Sequence, residues 1–88
     1  MFKAEVNVML RAAILDVQGK TVENALRSLG YGGAGHVRIG KHITLEIDAA
    51  NAEEATAIAY EIAGKVLSNP VMEDFSVTVM EMHDAEEV

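Results

Sequence analysis

Apolar and polar residues alternate along four short stretches of this chain, and two longer stretches place apolar residues three and four positions apart. Alternation is typical of half-buried β-strands, and the wider spacing is typical of helices that bury one face. The stretches follow one another in the order β-α-β-β-α-β, which contains two right-handed crossover units. This order predicts a ferredoxin-like α+β fold, with a four-stranded antiparallel sheet and both helices on one face.

The central stretch runs from Val37 to Asp48 and is interrupted by a glycine. Its apolar positions are Val37, Ile39, Ile43, Leu45 and Ile47. Opposed residues of a hairpin share a face, so we expect Ile39 to lie opposite Ile43 and Val37 opposite Leu45. The turn then contains residues 40–42. A two-residue turn at Gly40 and Lys41 would instead need a bulge to keep His42 off the apolar face.

The outer elements surround this predicted hairpin. We predict strands over Phe2–Leu10 and Glu73–Met82. Asp16 is suited to cap the first helix and Gly30 to end it, whereas Asn51 caps a second helix that ends near Ser68. The buried stripe of the first helix is Val22, Ala25, Leu26 and Leu29. That of the second is Ala55, Ile58, Ala59, Ile62, Val66 and Leu67, whose alanines allow close packing on the sheet.

A glycine-rich segment, residues 31–35, lies between the first helix and the central strands. A phosphate-binding loop requires the order strand, glycines, helix N-terminus. Here the order is helix, glycines, strand, so the nearby helix end is the negative one. We interpret the segment as a flexible connection.

The composition narrows the classes of function. The chain has 88 residues, half of them hydrophobic, with no cysteine, no tryptophan and a net charge of −7. The missing cysteines exclude disulfides and thiol chemistry, and a basic footprint for nucleic acid is lacking. No apolar run is long enough to span a bilayer or to form a signal peptide, so we expect a cytoplasmic protein without a membrane partner. Residues 1–82 are predicted to form one domain, followed by an acidic tail, residues 83–88.

The titratable residues do not form a recognisable catalytic pattern. The three histidines, His36, His42 and His83, lack metal-ligand spacing, and neighbouring Glu53 and Glu54 suit a helix N-terminus. We expect no catalytic residue, cofactor or metal in this chain. Arg38 and Lys41 stand out because the chain has few cations. Arg38 could pair with Glu46 across the sheet or meet an acidic patch on a partner.

The predicted sheet face without helices is a mixed surface, with fewer charges than we expect of a face that contacts solvent. Met9, Met80 and Met82 fall on it by alternation, beside uncharged polar residues. These methionines are either scattered surface residues, which are common, or a contact with another subunit in which flexible methionine fills an imperfect fit.

Several segments resemble the PurS family, the small subunit of phosphoribosylformylglycinamidine synthase in purine biosynthesis. Residues 37–45 are similar to the family's Val-Arg-x-Gly-Lys-x-Ile-x-Leu segment, and residues 15–20 to its Leu-Asp-Pro-Gln-Gly segment. Residues 28–31 and 69–75 also match, and the resemblance covers about residues 2–80. Val17 replaces the usual proline, which should loosen the start of the first helix without changing the fold.

The resemblance implies an accessory role. In this family a large synthetase subunit of the PurL type binds ATP and the ribonucleotide, and the complex uses magnesium. A glutaminase subunit of the PurQ type releases ammonia, and the small subunit helps to dock the two. By analogy, we expect Arg38, Gly40, Lys41, Asn69 and Pro70 to face partners or to shape loops. The family also implies a homodimer or a higher homo-oligomer, through the methionine-bearing face or a strand edge.

A second hypothesis keeps the same element order. An ACT-type regulatory module would bind a small molecule at a dimer interface, near a glycine at a strand–helix junction. Gly19 is the candidate glycine for such a site. A stand-alone oligomer with a structural role is the third possibility.

Overall fold

The computed structural model of this protein describes residues 1–82 and contains three strands and two α-helices. The elements are β1 (Phe2–Leu10), α1 (Val17–Ser28), β2 (Lys41–Ile47), α2 (Ala52–Ile62) and β3 (Glu73–Glu81). A π-helical turn, Ala63–Leu67, continues α2. The predicted acidic tail, residues 83–88, lies outside the described residues.

The sheet is antiparallel, with β1 between the two other strands in the order β2-β1-β3. In its register, Val6 lies opposite Ile43 on one side and opposite Val77 on the other. Even-numbered residues of β1 therefore share a face with odd-numbered residues of β2 and β3. That face is the one that α2 covers, as the alternation predicted.

The core lies between this face and α2. Its buried members are Phe2, Ala4, Val6, Val8, Ile47, Ala55, Ala59 and Ala63. The alanines of α2 and its π-turn are spaced four residues apart, and their small side chains let the helix approach the sheet. The Ser68 N–H bonds the Ala63 carbonyl at 3.0 Å, five residues back, which closes the π-turn. The helix ends at Ser68, as predicted.

The predicted first helix also forms, but it does not pack on the sheet. Its cap and its end agree with the prediction, since Asp16 accepts the N–H of Gly19 and Gly30 adopts a φ of +94°. Gly19 is nevertheless the one buried residue of α1. Val22 is 40% exposed and Leu29 is 73% exposed. The prediction that both helices cover one sheet face is therefore wrong for α1 in this chain.

The prediction of a central hairpin is wrong as well. The sheet of the described residues has three strands, whereas four were predicted. Lys41 and His42 are not turn residues but belong to β2, where they lie opposite Val8 and Asn7 of β1. Residues 37–40 pair with no strand within residues 1–82. Alternation on both sides of a glycine is compatible with a hairpin and with a strand that simply continues. In the folded chain, pairing with β1 selects the strand that continues.

We call residues 11–40 the arm, because they extend past the end of the sheet. The molecule measures 50 × 33 × 15 Å, and its radius of gyration is 16.8 Å. A compact chain of this length would have a radius of about 12 Å. No helix within residues 1–82 combines the length and the apolar character needed to cross a membrane.

Candidate functional site

Residues that are distant in sequence meet at one end of the sheet, where β1 ends and where β2 and β3 begin. The register places Lys41 opposite Val8, and Glu73 opposite Leu10. We call this region the loop end. It contains all five residues that the sequence analysis proposed as partner-facing or loop-shaping: Arg38, Gly40, Lys41, Asn69 and Pro70.

The loop before β3, residues 69–72, is held in one conformation by its own hydrogen bonds. The side-chain oxygen of Asn69 accepts the N–H of Val71 at 3.0 Å, and its carbonyl accepts the N–H of Glu73 at 2.8 Å. The Glu73 carboxylate in turn accepts the N–H of Asn69 at 2.7 Å. The loop therefore offers a fixed shape to whatever contacts it.

Arg11 connects this loop to the end of β1. Its backbone N–H donates to the Met72 carbonyl at 2.9 Å, and its guanidinium donates to the Pro70 carbonyl at 2.6 Å. The same side chain lies 3.4 Å from the Asp74 carboxylate. Sequence reasoning did not identify Arg11. Arg11 lies almost 60 residues from the loop along the chain, so no local sequence pattern could have identified this contact.

Lys41 lies beside the end of the π-turn. Its ammonium group donates to the Leu67 carbonyl at 3.2 Å and lies 3.9 Å from Glu73. The side chain is still 54% exposed. Lys41 is thus positioned by its neighbours while its charge remains accessible to an acidic group on a partner.

Gly40 is required by packing and not by a turn. A Cβ atom at this position would collide with the Val8 carbonyl oxygen and with the sulfur of Met9. The glycine lets the backbone cross the end of β1 at close range. This contact directs the backbone into β2, so it is incompatible with the hairpin turn predicted at residues 40–42.

Arg38 has a role within the chain. Its guanidinium donates to three backbone carbonyls, those of Leu10 at 3.1 Å, Arg11 at 3.2 Å and Ile14 at 3.3 Å. It is therefore not the cross-sheet partner of Glu46 that we had considered. Arg38 instead connects the segment of the arm that leads into β2, residues 37–40, to the loop that follows β1.

Asp16 makes a second set of hydrogen bonds that holds the arm together. Its carboxylate accepts the N–H of Gly19 at 2.8 Å and the N–H of Ile39 at 2.6 Å, and the residue is buried. These two bonds lower the pKa of Asp16, and the nearby Arg38 charge lowers it further. The N-cap was predicted from sequence. The bond to Ile39, 23 residues away, was not.

Glu23 closes the arm at its glycine-rich segment. Its carboxylate accepts the N–H of His36 at 2.8 Å, and it pairs with Lys20 at 3.3 Å. The bond from His36 is the main reason why the pKa of Glu23 is lowered, followed by the bond from Lys20. His36 itself has a φ of 54°, a left-handed conformation that this bond helps to hold.

An open groove of about 610 Å³ lies between α1 and the glycine-rich segment. The charged side chains that line it include Lys20 and Glu23, which pair with each other. Gly19, the glycine of the ACT-type hypothesis, does not open onto free space. A Cβ atom there would meet the Val37 carbonyl and would lie 2.7 Å from an Asp16 carboxylate oxygen. The space beside the Gly19 Cα atom is therefore occupied by the chain itself.

The three methionines are divided between different environments. Register places Met9 and Met80 on the sheet face without α2, where they are 38% and 41% exposed. Met82 follows β3 and is half-buried, and its N–H donates to the Met1 carbonyl at 3.1 Å. On the same open face, His42 and Asn7 form a hydrogen bond of 2.7 Å.

Exposed apolar side chains lie in two segments of the loop end. Val66 of the π-turn is 74% exposed and Val71 of the loop before β3 is 76% exposed. Within the described residues, no group of three histidine or acidic side chains could hold a metal ion. A hydrogen-bonded loop, an accessible cation and exposed apolar side chains thus lie together at this end of the sheet.

Comparison with known proteins identifies relatives over almost the whole chain. The family model "PurS: Phosphoribosylformylglycinamidine (FGAM) synthase" matches residues 3–81. Phosphoribosylformylglycinamidine synthase subunit PurS of Mycobacterium leprae is 45% identical over 78 residues, which are 89% of this chain and 95% of that protein. The PurS subunit of Bacillus subtilis is 37% identical over 82 residues, covering 93% and 96%.

Solved structures agree with these relatives. PurS of Methanocaldococcus jannaschii, described as one of the subunits of formylglycinamide ribonucleotide amidotransferase, superimposes with a TM-score of 0.84 at 31% identity. The match covers 94% of this chain and all of that one. A chain in the structure of PurLQS from Thermotoga maritima gives a TM-score of 0.82 at 34% identity, covering 90% and 96%. These matches do not favour the ACT-type alternative, and the chain belongs to the PurS family.

Proposed function

We propose that this chain is the accessory subunit of phosphoribosylformylglycinamidine synthase in purine biosynthesis. It bridges a synthetase subunit of the PurL type and a glutaminase subunit of the PurQ type, and it supports the transfer of ammonia between them. The observation that carries this proposal is the match to PurS proteins over about nine-tenths of the chain. The likeness to a chain of the PurLQS structure supports the two partners.

The chemistry of the complex explains why a subunit without its own active site is useful. Free ammonia in neutral water is mostly ammonium, which is not a nucleophile. A complex that passes ammonia from one site to another must therefore keep water out of the path. We propose that this chain contributes by docking and holds no cofactor, whereas ATP and magnesium are bound by the large subunit. We propose that the chain acts in the cytoplasm.

The loop end is the surface that we propose for this docking. Lys41 supplies an accessible positive charge, and the loop of Asn69 and Pro70 supplies a fixed shape. Arg38 and Gly40 shape this surface from behind, because both are occupied by contacts within the chain. Arg11 is a positioning residue, since it ties the loop to β1 without being part of the proposed contact.

Reconstitution tests the proposal. The chain is mixed with the synthetase and glutaminase subunits, and product formation is measured with glutamine and, separately, with ammonium salt. We expect activity with glutamine to require the chain and activity with ammonium to need it much less. Equal activity with glutamine in the presence and absence of the chain would contradict the proposal.

Variants locate the surface. Because a single exposed ion pair contributes about 0.2–1 kcal/mol, Lys41→Ala should raise the chain concentration for half-maximal glutamine-dependent activity by a factor of roughly 1.4 to 5. Lys3→Ala is the matched control: Lys3 is 43% exposed and lies near the opposite end of β1. Arg11→Ala should have a larger effect by releasing the loop. If Lys3→Ala and Lys41→Ala behave alike, the docking surface is not the loop end.

A further inference from the structure

Met9 contacts the backbone at the point where the arm joins the sheet. Its thioether sulfur lies over the Cα atom of Gly40, in the space that a Cβ atom would take. The other atoms nearest to that space are the Met9 Cγ atom and the Val8 carbonyl oxygen. Gly40 directly precedes Lys41, the accessible cation of the loop end. The Met9 side chain therefore helps to set the position at which β2 begins with Lys41.

The same side chain is open to small solutes. Met9 is 38% exposed, and it borders an open depression of about 240 Å³ where β1 and β3 pair. The other residues that line this depression are Asn7, Asp74, Phe75 and Ser76. Peroxides oxidise accessible methionine thioethers to the sulfoxide, and reductases convert the sulfoxide back. Met9 thus combines a contact within the fold with access for an oxidant.

We propose that Met9 is a site of reversible oxidation by hydrogen peroxide, and that the sulfoxide releases residues 39–41 from the end of β1. The sulfur lone pair attacks one peroxide oxygen, so an S–O bond forms and the O–O bond breaks. The transferred oxygen gives its proton to the departing hydroxide, which leaves as water. Sulfur loses two electrons and peroxide gains them. In the reverse reaction, two thiols of a reductase become a disulfide, and thioether and water are formed.

The sulfoxide is incompatible with the contact at Gly40. Oxidation turns an apolar thioether into a polar group with one more oxygen. If that oxygen points toward Gly40, it meets the backbone and the Val8 carbonyl oxygen, an acceptor that cannot donate a hydrogen bond to it. If it turns to water instead, the sulfur must withdraw from Gly40. Either arrangement removes the contact, so the backbone of residues 39–41 should open more often.

Met80 is the matched comparison within the chain. It lies on the same sheet face and is 41% exposed, close to the value for Met9. It lies opposite Lys3, roughly 20 Å along β3 from Asp74, the residue opposite Met9. In the described part of the chain, no glycine has Met80 among its nearest neighbours. Oxidation of Met80 should therefore proceed at a similar rate without affecting residues 39–41.

The consequence for activity rests on the proposed docking at the loop end. Gly40 and Lys41 are adjacent, so a looser backbone at Gly40 spreads the positions of the Lys41 ammonium group. The contacts that direct this group, to the Leu67 carbonyl and to Glu73, then hold it for less of the time. Oxidation of Met9 should thus weaken glutamine-dependent activity.

Peroxide treatment of three chains tests the site: the unmodified chain, Met9→Leu and Met80→Leu. Leucine conserves the volume of methionine and has no sulfur to oxidise. Mass spectrometry of peptides identifies the oxidised residues, and amide hydrogen exchange is measured at residues 39–43. We expect oxidation to accelerate this exchange by roughly three- to tenfold in the unmodified chain and in Met80→Leu, but not in Met9→Leu. The other methionines, Met72 included, are present in all three chains, so their oxidation cancels.

Glutamine variants repeat the test without an oxidant, because glutamine places a polar group where the sulfoxide would be. Met9→Gln should accelerate exchange at residues 39–43 by a similar factor, whereas Met80→Gln should not. In the reconstituted complex, Met9→Gln should raise the chain concentration for half-maximal activity with glutamine by about threefold. Methionine sulfoxide reductase should return the oxidised unmodified chain to its original exchange rates.

Three results would overturn the inference. The first is a Met9 that stays reduced while Met80 is oxidised. The second is exchange at residues 39–43 that accelerates equally in all three oxidised chains, since another methionine would then be responsible. The third is a folded Met9→Gln chain with unchanged exchange. These measurements need no partner subunit, so they decide the Met9 site even if activity with glutamine does not require the chain, a result that would contradict the proposed function alone.

Discussion

Replacing Gly19 with alanine sets two effects against each other in α1. Alanine is the better helix former by about 1 kcal/mol, so propensity alone predicts a more stable helix. The structure predicts the opposite. A Cβ atom at this position would lie 2.7 Å from an Asp16 carboxylate oxygen and closer still to the Val37 carbonyl oxygen.

Magnitudes decide between the two effects. Overpacking a tight site costs about 1–3 kcal/mol, and more when the neighbour is backbone that cannot turn aside. The Val37 carbonyl is such a neighbour, because the residues after it are held by the contacts of Arg38 and Ile39. For a backbone neighbour we take the upper part of this range, about 2–3 kcal/mol, and subtract the propensity gain of about 1 kcal/mol, so Gly19→Ala should destabilise the arm by about 1–2 kcal/mol.

Gly64→Ala provides the matched comparison. A Cβ atom there would meet the Phe75 ring at 3.8 and 3.9 Å, which is ordinary van der Waals contact. With no collision, propensity should prevail, and the variant should be more stable by up to about 1 kcal/mol. Urea unfolding measures both variants, and amide hydrogen exchange across residues 17–28 follows α1 itself. If Gly19→Ala stabilised the chain as Gly64→Ala does, or left exchange in α1 unchanged, the contact between α1 and residue 37 would be refuted.

The other predictions concern a helix N-cap, a core residue and the pH dependence of the arm. Asn51→Ala removes the side chain that accepts the Glu54 N–H at 2.8 Å and should cost about 1 kcal/mol in urea unfolding; an unchanged midpoint would show that the cap is not needed. Val6→Ala empties a fully buried position in the central strand and should cost about 2 kcal/mol, and a much smaller loss would mean that the core collapses around the gap. The lowered pKa values of Asp16 and Glu23 mean that these carboxylates stabilise the arm above about pH 4 and lose that contribution as pH falls through the lowered values. Exchange in α1, corrected for its intrinsic pH dependence, should therefore accelerate in acid, and a flat profile would contradict the role of the two carboxylates.

Local pattern was sufficient for the elements themselves. Alternation located β1 and β3, and the caps at Asp16 and Asn51 located the helix starts, because each of these signals acts within a few residues. The alanines of α2 were correctly predicted to pack on the sheet. Membership of the PurS family was also recognisable from short matching segments.

The surroundings of the loop end came only from tertiary structure. Arg11 reaches Pro70 across 59 positions, and Asp16 reaches Ile39 across 23. Nothing within a few residues of Arg11 marks it as the anchor of another loop. Arg38 was singled out by its charge, yet its contacts are backbone carbonyls, which no sequence pattern marks as available.

The strand at the centre shows most clearly what the sequence determined and what it left open. Residues 37–47 carry one alternation, and alternation specifies which side chains share a face but not which strand lies beside them. Whether the chain reverses at Gly40 or continues depends on pairing with β1 and on the contact of Gly40 with Val8 and Met9. The face on which a side chain lies is a local property, because the backbone of a strand alternates with a period of two. The strand that lies beside it is a property of the assembled sheet, so only the folded structure could decide the pairing.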